Sequence, residues 1–205
     1  MSDQIKIQTP AKKRPVIIGI NGLAGAGKDT ISEMVRLSLS SEHKLNVKIY
    51  SFAGTLKQAA SIIFGVPLVQ FYDQTLKEQV NDFWGMSPRQ MAQKLGTEAC
   101  RNGIRNDIWV KSLEATLNNC GADIAFITDV RFDNEAEFIL NYSKGSNVFN
   151  LFRNDHKPIK DSGHASEQGI DDNLVSHFIE NVTGNPYVAA GTLQSLVLAA
   201  IEESK

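Results

Sequence analysis

Apolar positions along the chain follow two spacings in alternation. Val16 to Ile20 is a short continuous run of mostly β-branched residues, as expected of a strand covered on both faces. A glycine-rich stretch follows. Then Ile31, Met34, Val35 and Leu39 recur at three- and four-residue intervals, which sets them on one side of a helix. Val47 to Phe52 predicts a second strand, and Ala53 to Phe64 a helix with Leu56, Ala59, Ala60 and Ile63 along one face. From Gly65 to Gly85 no period holds, and Phe71, Tyr72, Phe83 and Trp84 are scattered among charged positions. Ser87 before Pro88 is a cap and first-turn pair that opens a helix, expected to reach about Cys100. A further helix is expected over Asp107 to Asn119. Asp123 to Thr128 predicts a buried strand, Asn134 to Tyr142 a helix, Asn147 to Phe152 a strand, Ser176 to Glu180 a last short strand, and Thr192 to Ile201 a closing helix. Residues 153–173 are polar and read as a mobile surface segment.

Strands alternating with helices imply an α/β fold, a parallel sheet covered on both faces. No linker or repeat divides the chain, so residues 15–205 are expected to form one domain behind a loose polar leader, residues 1–14. The length, 205 residues, agrees with one domain. Twenty-one basic against 23 acidic residues give a net charge of −2, which argues against a surface built to grip a nucleic-acid polymer. No apolar run is long enough to span a bilayer, and the leader lacks the apolar core of a signal peptide. Cys100 and Cys120 are too few for a disulfide framework and match no zinc spacing. They read as reduced thiols in a cytoplasmic protein.

One segment carries specific chemistry. Gly22-Leu23-Ala24-Gly25-Ala26-Gly27-Lys28-Asp29-Thr30 has the G-x-x-x-x-G-K spacing of a phosphate loop, between a strand and an amphipathic helix. The glycines let the backbone turn its N–H groups inward, and these donors with the helix N-terminus cradle polyphosphate. Lys28 adds a cation for the β- and γ-phosphates. Where the usual motif has Ser or Thr as a Mg²⁺ ligand, this chain has Asp29, with Thr30 next. Either could serve the metal.

The GKDT run resembles the phage deoxynucleoside monophosphate kinases, and further segments extend the resemblance in order. They are Ser51 to Lys57 (SFAGTLK), Gln93 to Thr97 (QKLGT) with Trp109-Val110, and Ile127 to Arg131 (ITDVR) with Glu135. His164 to Ile170 (HASEQGI) and Ile179 to Gly184 (IENVTG) complete the series. Together they cover about residues 16–201. Animal-type phosphomevalonate kinases share several of these segments, which makes a small phosphorylated acid the rival acceptor.

The resemblance implies a three-layer P-loop fold with a helical acceptor-binding region over about residues 53–120 and a short lid over about 153–173. It implies Mg²⁺ with ATP as phosphoryl donor, a deoxynucleoside monophosphate as acceptor, and room for a homodimer. The location would be the cytoplasm, that of the host if the chain is phage-encoded. Lys28, Arg131 and Arg153 would carry catalysis. Gly22, Ala24, Gly25, Ala26, Gly27, Asp29 and Thr30 would hold ATP, with Asn181 and Gly184 against its adenine. Lys57, Arg89, Gln93, Thr97, Arg101, Arg131 and Glu167 would meet the acceptor, with Arg105 as a further cation in that region. Asp129, at a strand's carboxyl end, would join Asp29 and Thr30 near the metal. Trp109 reads as core. A non-catalytic nucleotide-binding regulator is the reading from another class. The missing N-K-x-D motif and the missing Asp-Glu after the Asp129 strand argue against a switch or motor.

Overall fold

The computed structural model describes residues 14–155 and 169–204. The leader up to Lys13 and residues 156–168, which include His156, His164 and Glu167, lie outside them. Strand β1 (Val16–Asn21) is buried along its whole length. It is flanked by β3 (Ile124–Ile127) and β4 (Asn147–Phe152). With β2 (Val47–Tyr50) and β5 (His177–Glu180) these form one sheet in the order β2-β3-β1-β4-β5. Every pairing is parallel, with Ile18 beside Phe126 on one side and Asn147 on the other.

Alternation along β1 decides which layer each residue feeds. Val16, Ile18 and Ile20 point to α1 (Lys28–Glu42) and α7 (Pro186–Glu203), meeting Ile31, Val35, Leu39, Leu193 and Val197. Ile17 points the other way, to α5 (Ile108–Leu117) and α6 (Asp133–Tyr142), among Trp109, Leu113, Leu117 and Ile139. Gly19 lies on that side too, and a β-carbon there would stand 2.7 Å from Ile139 Cδ1. Helix, sheet and helix thus make three layers.

A third, smaller core sits beside the sheet. Ala60 of α2 (Ala53–Phe64), Val66, Phe71 of α3 (Val69–Tyr72) and Met91 of α4 (Pro88–Gln93) gather there. α3 and a single 3₁₀ turn at Leu76–Glu78 lie in the stretch with no period. The helix expected from Ser87 to Cys100 begins as predicted, but from Lys94 to Arg101 it is a π-helix. The closing helix starts at Pro186, six residues before Thr192, because proline at its first turn pre-sets the helical φ. Among the described residues, no helix is long and apolar enough to cross a membrane.

Candidate active site

The phosphate loop joins β1 to α1, and its glycines are there for conformation. Gly22, Gly25 and Gly27 have φ of +140°, +84° and +91°, values that side-chain-bearing residues seldom adopt. A β-carbon on Gly22 would also stand 2.1 Å from the Leu151 carbonyl oxygen. The loop root is therefore flush against β4. Lys28 folds back over the loop, its Nζ donating to the carbonyls of Gly22 (2.6 Å) and Leu23 (3.0 Å). Asp29 and Thr30 are exposed on the first turn of α1.

Asp129 leaves the end of β3 toward α2 and caps it. Its Oδ1 accepts from the Phe52 N–H at 2.8 Å and its Oδ2 from the Ala53 N–H at 2.9 Å. Burial raises the pKa of its carboxyl, opposed by these two N–H groups and by Lys57 and Arg131. Lys57 stands one turn into α2, its ammonium 4.0 Å from the centre of the Tyr72 ring. Burial lowers its pKa, while Asp129 and Asp29, both within electrostatic reach, pull the other way.

A cavity of about 250 Å³ opens between these groups and helical residues 88–101. Ala24 of the phosphate loop stands among its lining residues. The expected acceptor residues Lys57, Arg89, Gln93, Thr97, Arg101 and Arg131 line it as well, and so does Asp129. Positions far apart in sequence are thus brought to one space. Arg89 also bonds Glu78 at 2.9 Å. Arg105 is not among the lining residues; it pairs with Asp107 on the surface. Trp109 is core, with Nε1 bonded to the Gly96 carbonyl at 3.1 Å, yet one edge lines the cavity.

Arg101 is committed inside the protein. Its guanidinium pairs with Glu135, donates to the Asn106 carbonyl at 3.0 Å and lies 4.0 Å over the Phe132 ring. Glu135 accepts from the backbone N–H groups of Arg131 (2.9 Å) and Phe132 (3.3 Å). Its carboxyl is pushed up to about 7 by burial and by the charge of Asp129, against the pull of Arg101.

Of the residues expected on the donor side, Asn181 touches the phosphate loop. Asn181 follows β5 and is buried, its amide donating to the Ala26 carbonyl at 2.9 Å. It holds the phosphate loop itself. Gly184, φ +77°, is in the exposed turn behind it. Arg153, just past β4, bonds Asp155 and Thr183 and is not among the cavity-lining residues. Glu167 lies outside the described residues.

Sequence reasoning named Glu135 and Tyr72 without giving either a place in the site, and passed over Phe132, Asn21 and Asn150 altogether. Asn21 and Asn150 sit side by side on β1 and β4. Asn150 donates to Asn21 at 2.7 Å, and Asn21 donates to the Val130 carbonyl at 2.9 Å. The phosphate-loop root is thereby tied to the segment between Asp129 and Arg131. The signal was present, since asparagine is disfavoured inside strands and needs a reason there.

The donor set implied for magnesium fits that ion. Asp29, Thr30 and Asp129 offer hard oxygen ligands, and each Asp129 oxygen keeps a lone pair beyond its backbone bond. Among the described residues no cluster of three or more His, Cys, Asp or Glu forms a metal cage. One or two protein ligands plus phosphate oxygens are what Mg²⁺ takes at such sites.

A family model described as deoxynucleotide monophosphate kinase matches residues 66–184. The chain is 26% identical over 223 aligned positions to the deoxynucleoside-5'-monophosphate kinase of Escherichia phage T5, covering 81% of this chain and 89% of that one. It is 34% identical over 140 positions to a putative deoxynucleotide monophosphate kinase of Acanthamoeba polyphaga mimivirus, covering 60% of this chain and 68% of the relative. Among solved structures, shikimate kinase from Acinetobacter baumannii in complex with shikimate aligns over 92% of this chain and 95% of its own, with 13% identity and a TM-score of 0.43.

Proposed function

This chain belongs to the deoxynucleotide monophosphate kinase family, and from that premise we propose that it transfers the γ-phosphoryl group of Mg²⁺-bound ATP to a deoxynucleoside monophosphate, giving the diphosphate and ADP. The observation that carries this reading is one cavity lined both by Ala24 of the phosphate loop and by the cations Lys57, Arg89 and Arg131. A polyphosphate-seeking end and a set of cations suited to a monophosphate share one space, as an in-line transfer between two anions requires.

Each residue has a task in that transfer. Backbone N–H groups of the phosphate loop and the N-terminus of α1 hold the donor phosphates. Lys28 exchanges the Gly22 and Leu23 carbonyls for the β- and γ-phosphates. Lys57 and Arg89 receive the acceptor's phosphate, while Gln93 and Thr97 face its sugar and base. Arg131, which lines the same cavity, neutralises charge on the group in flight. An acceptor oxygen attacks phosphorus as the bond to the β-phosphate oxygen breaks. That oxygen is already ionised, so no strong general base is needed. Asp29 or Thr30, with Asp129, would hold Mg²⁺, which would neutralise charge on the donor phosphates. Arg153 approaches from the donor side.

The test is coupled ADP release with Mg·ATP and a panel of deoxynucleoside and ribonucleoside monophosphates and phosphomevalonate, with Lys28→Ala alongside. Turnover with a deoxynucleotide, lost in the variant, is expected. Turnover with phosphomevalonate alone, or binding without turnover, would overturn the proposal.

A further inference from the structure

Glu135 stands at the third position of α6, where a glutamate ordinarily accepts the N–H at the helix start and remains in water. Here it is buried, with a side chain 2% exposed, against an Arg101 side chain 6% exposed. Taking both charges out of water is costly, and an apolar pair of similar size often serves a core as well or better. Packing alone therefore gives no reason for the pair.

What the charges supply is a set of directed bonds. One Glu135 oxygen takes Arg101, and the other takes the consecutive N–H groups of Arg131 and Phe132. The Arg101 guanidinium lies over the Phe132 ring and reaches the Asn106 carbonyl. Arg101 closes the π-helical segment of the acceptor side, whereas Arg131 and Phe132 lead out of β3 into α6. The pair thus joins the acceptor-side helices to the backbone that carries Arg131, at the wall of the cavity.

We propose that Arg101 and Glu135 form a buried clamp that positions Arg131, and that Arg101 acts on the substrate through this loop rather than by touching the acceptor phosphate. The inference rests on the phosphoryl-transfer reading above and on the role given there to Arg131.

Two paired variants separate positioning from packing. Arg101→Met with Glu135→Leu fills the space with apolar atoms and removes the acceptor for the two N–H groups. Arg101→Gln with Glu135→Gln keeps an acceptor and a neutral link. Circular dichroism establishes that each is folded. A displacement near 1 Å can cost about a hundredfold in rate, so the Met/Leu variant is expected to lose at least about tenfold in kcat, with the acceptor KM little changed. The Gln/Gln variant is expected to recover most of that loss. Added to Arg131→Met, the Met/Leu pair is expected to cost nothing further, because both act at one point.

A folded Met/Leu variant with wild-type kcat would overturn the clamp, as would a Gln/Gln variant equally slow. A raised acceptor KM with kcat intact in both would show that Arg101 touches the acceptor, and would also overturn it. Should the Met/Leu variant fail to fold, Arg101→Lys keeps the charge but loses the planar fork. A fall in kcat at constant KM is expected there, and the reverse pattern overturns the proposal. Full activity in Arg131→Met would remove the Arg131 role and the clamp together. A wild-type chain that turns over no acceptor would instead overturn the phosphoryl-transfer reading, and the clamp with it.

Discussion

Lys57 shows how much a single side chain depends on partners distant in sequence. Its ammonium meets the Tyr72 ring, and Asp129 and Asp29 offset the burial that disfavours its charge. Removing that cation with Lys57→Met is expected to raise the acceptor KM by at least about tenfold, the scale of one charge-assisted hydrogen bond. The KM for ATP should change little, and steady-state kinetics with each substrate varied in turn checks the split. At this scale the phosphate loop was legible, because its spacing is local and its glycines answer to backbone geometry. Asp129 was legible as a strand-end carboxylate. That it caps α2, and not the helix following it in sequence, was not. Glu135 was hidden for a similar reason: a glutamate three residues after the start of a helix looks like an ordinary cap until Arg101 is placed beside it.

Among the elements, the acceptor side depends on one well-made helix start. The Ser87 hydroxyl accepts from the Gln90 N–H at 3.3 Å, and the Gln90 side chain accepts from the Ser87 N–H at 2.9 Å. Ser87→Ala is expected to cost about 1 kcal/mol in urea unfolding. Since α4 carries Arg89 and Gln93 to the cavity, the acceptor KM should rise as well. Ser-Pro announced this start in the sequence. The change to π geometry seven residues later was not announced. Gly96 presses on Leu56, where a β-carbon would stand 2.6 Å from Cδ2, and its carbonyl receives the Trp109 indole N–H. At the segment's end the Asn102 N–H reaches back to the Thr97 carbonyl, five residues earlier. Contacts with α2 and α5 favour this winding, and a hydrophobic period read along one helix does not contain them.

At the scale of the molecule, the alternation of strands and helices was enough to give the layered fold, since each strand's covered faces are written in its own residues. The order in which strands lie side by side depends on crossovers, and the sequence reading left it open. Burying the clamp beyond the carboxyl end of β3 has a consequence for the whole chain. The Glu135 carboxyl rises from 4.5 to about 7, with burial and Asp129 outweighing Arg101. Over that interval the folded protein holds a proton that the unfolded chain has released. Glu135 therefore contributes stability in full below about 4.5 and loses it as pH rises through about 7. The melting midpoint is expected to fall between about pH 5 and about pH 8, and the Gln/Gln variant to flatten that slope. A wild-type midpoint that rises over this range would contradict the assignment.

The chain has two tryptophans, and they stand in contrasting places. Trp84 is 38% exposed, edge-on to Phe64 and Phe83. Trp109 is 7% exposed, fixed through its indole to Gly96, with one edge on the cavity. The molecule therefore contains its own optical probe. A Trp84→Phe variant would emit from Trp109 alone, at the blue end of the range typical of indoles shielded from water. Titration with a deoxynucleoside monophosphate should change the intensity of that emission in a saturable way. Occupancy of the acceptor side could then be followed without a label, and in the millisecond range by rapid mixing, before any phosphoryl group has moved.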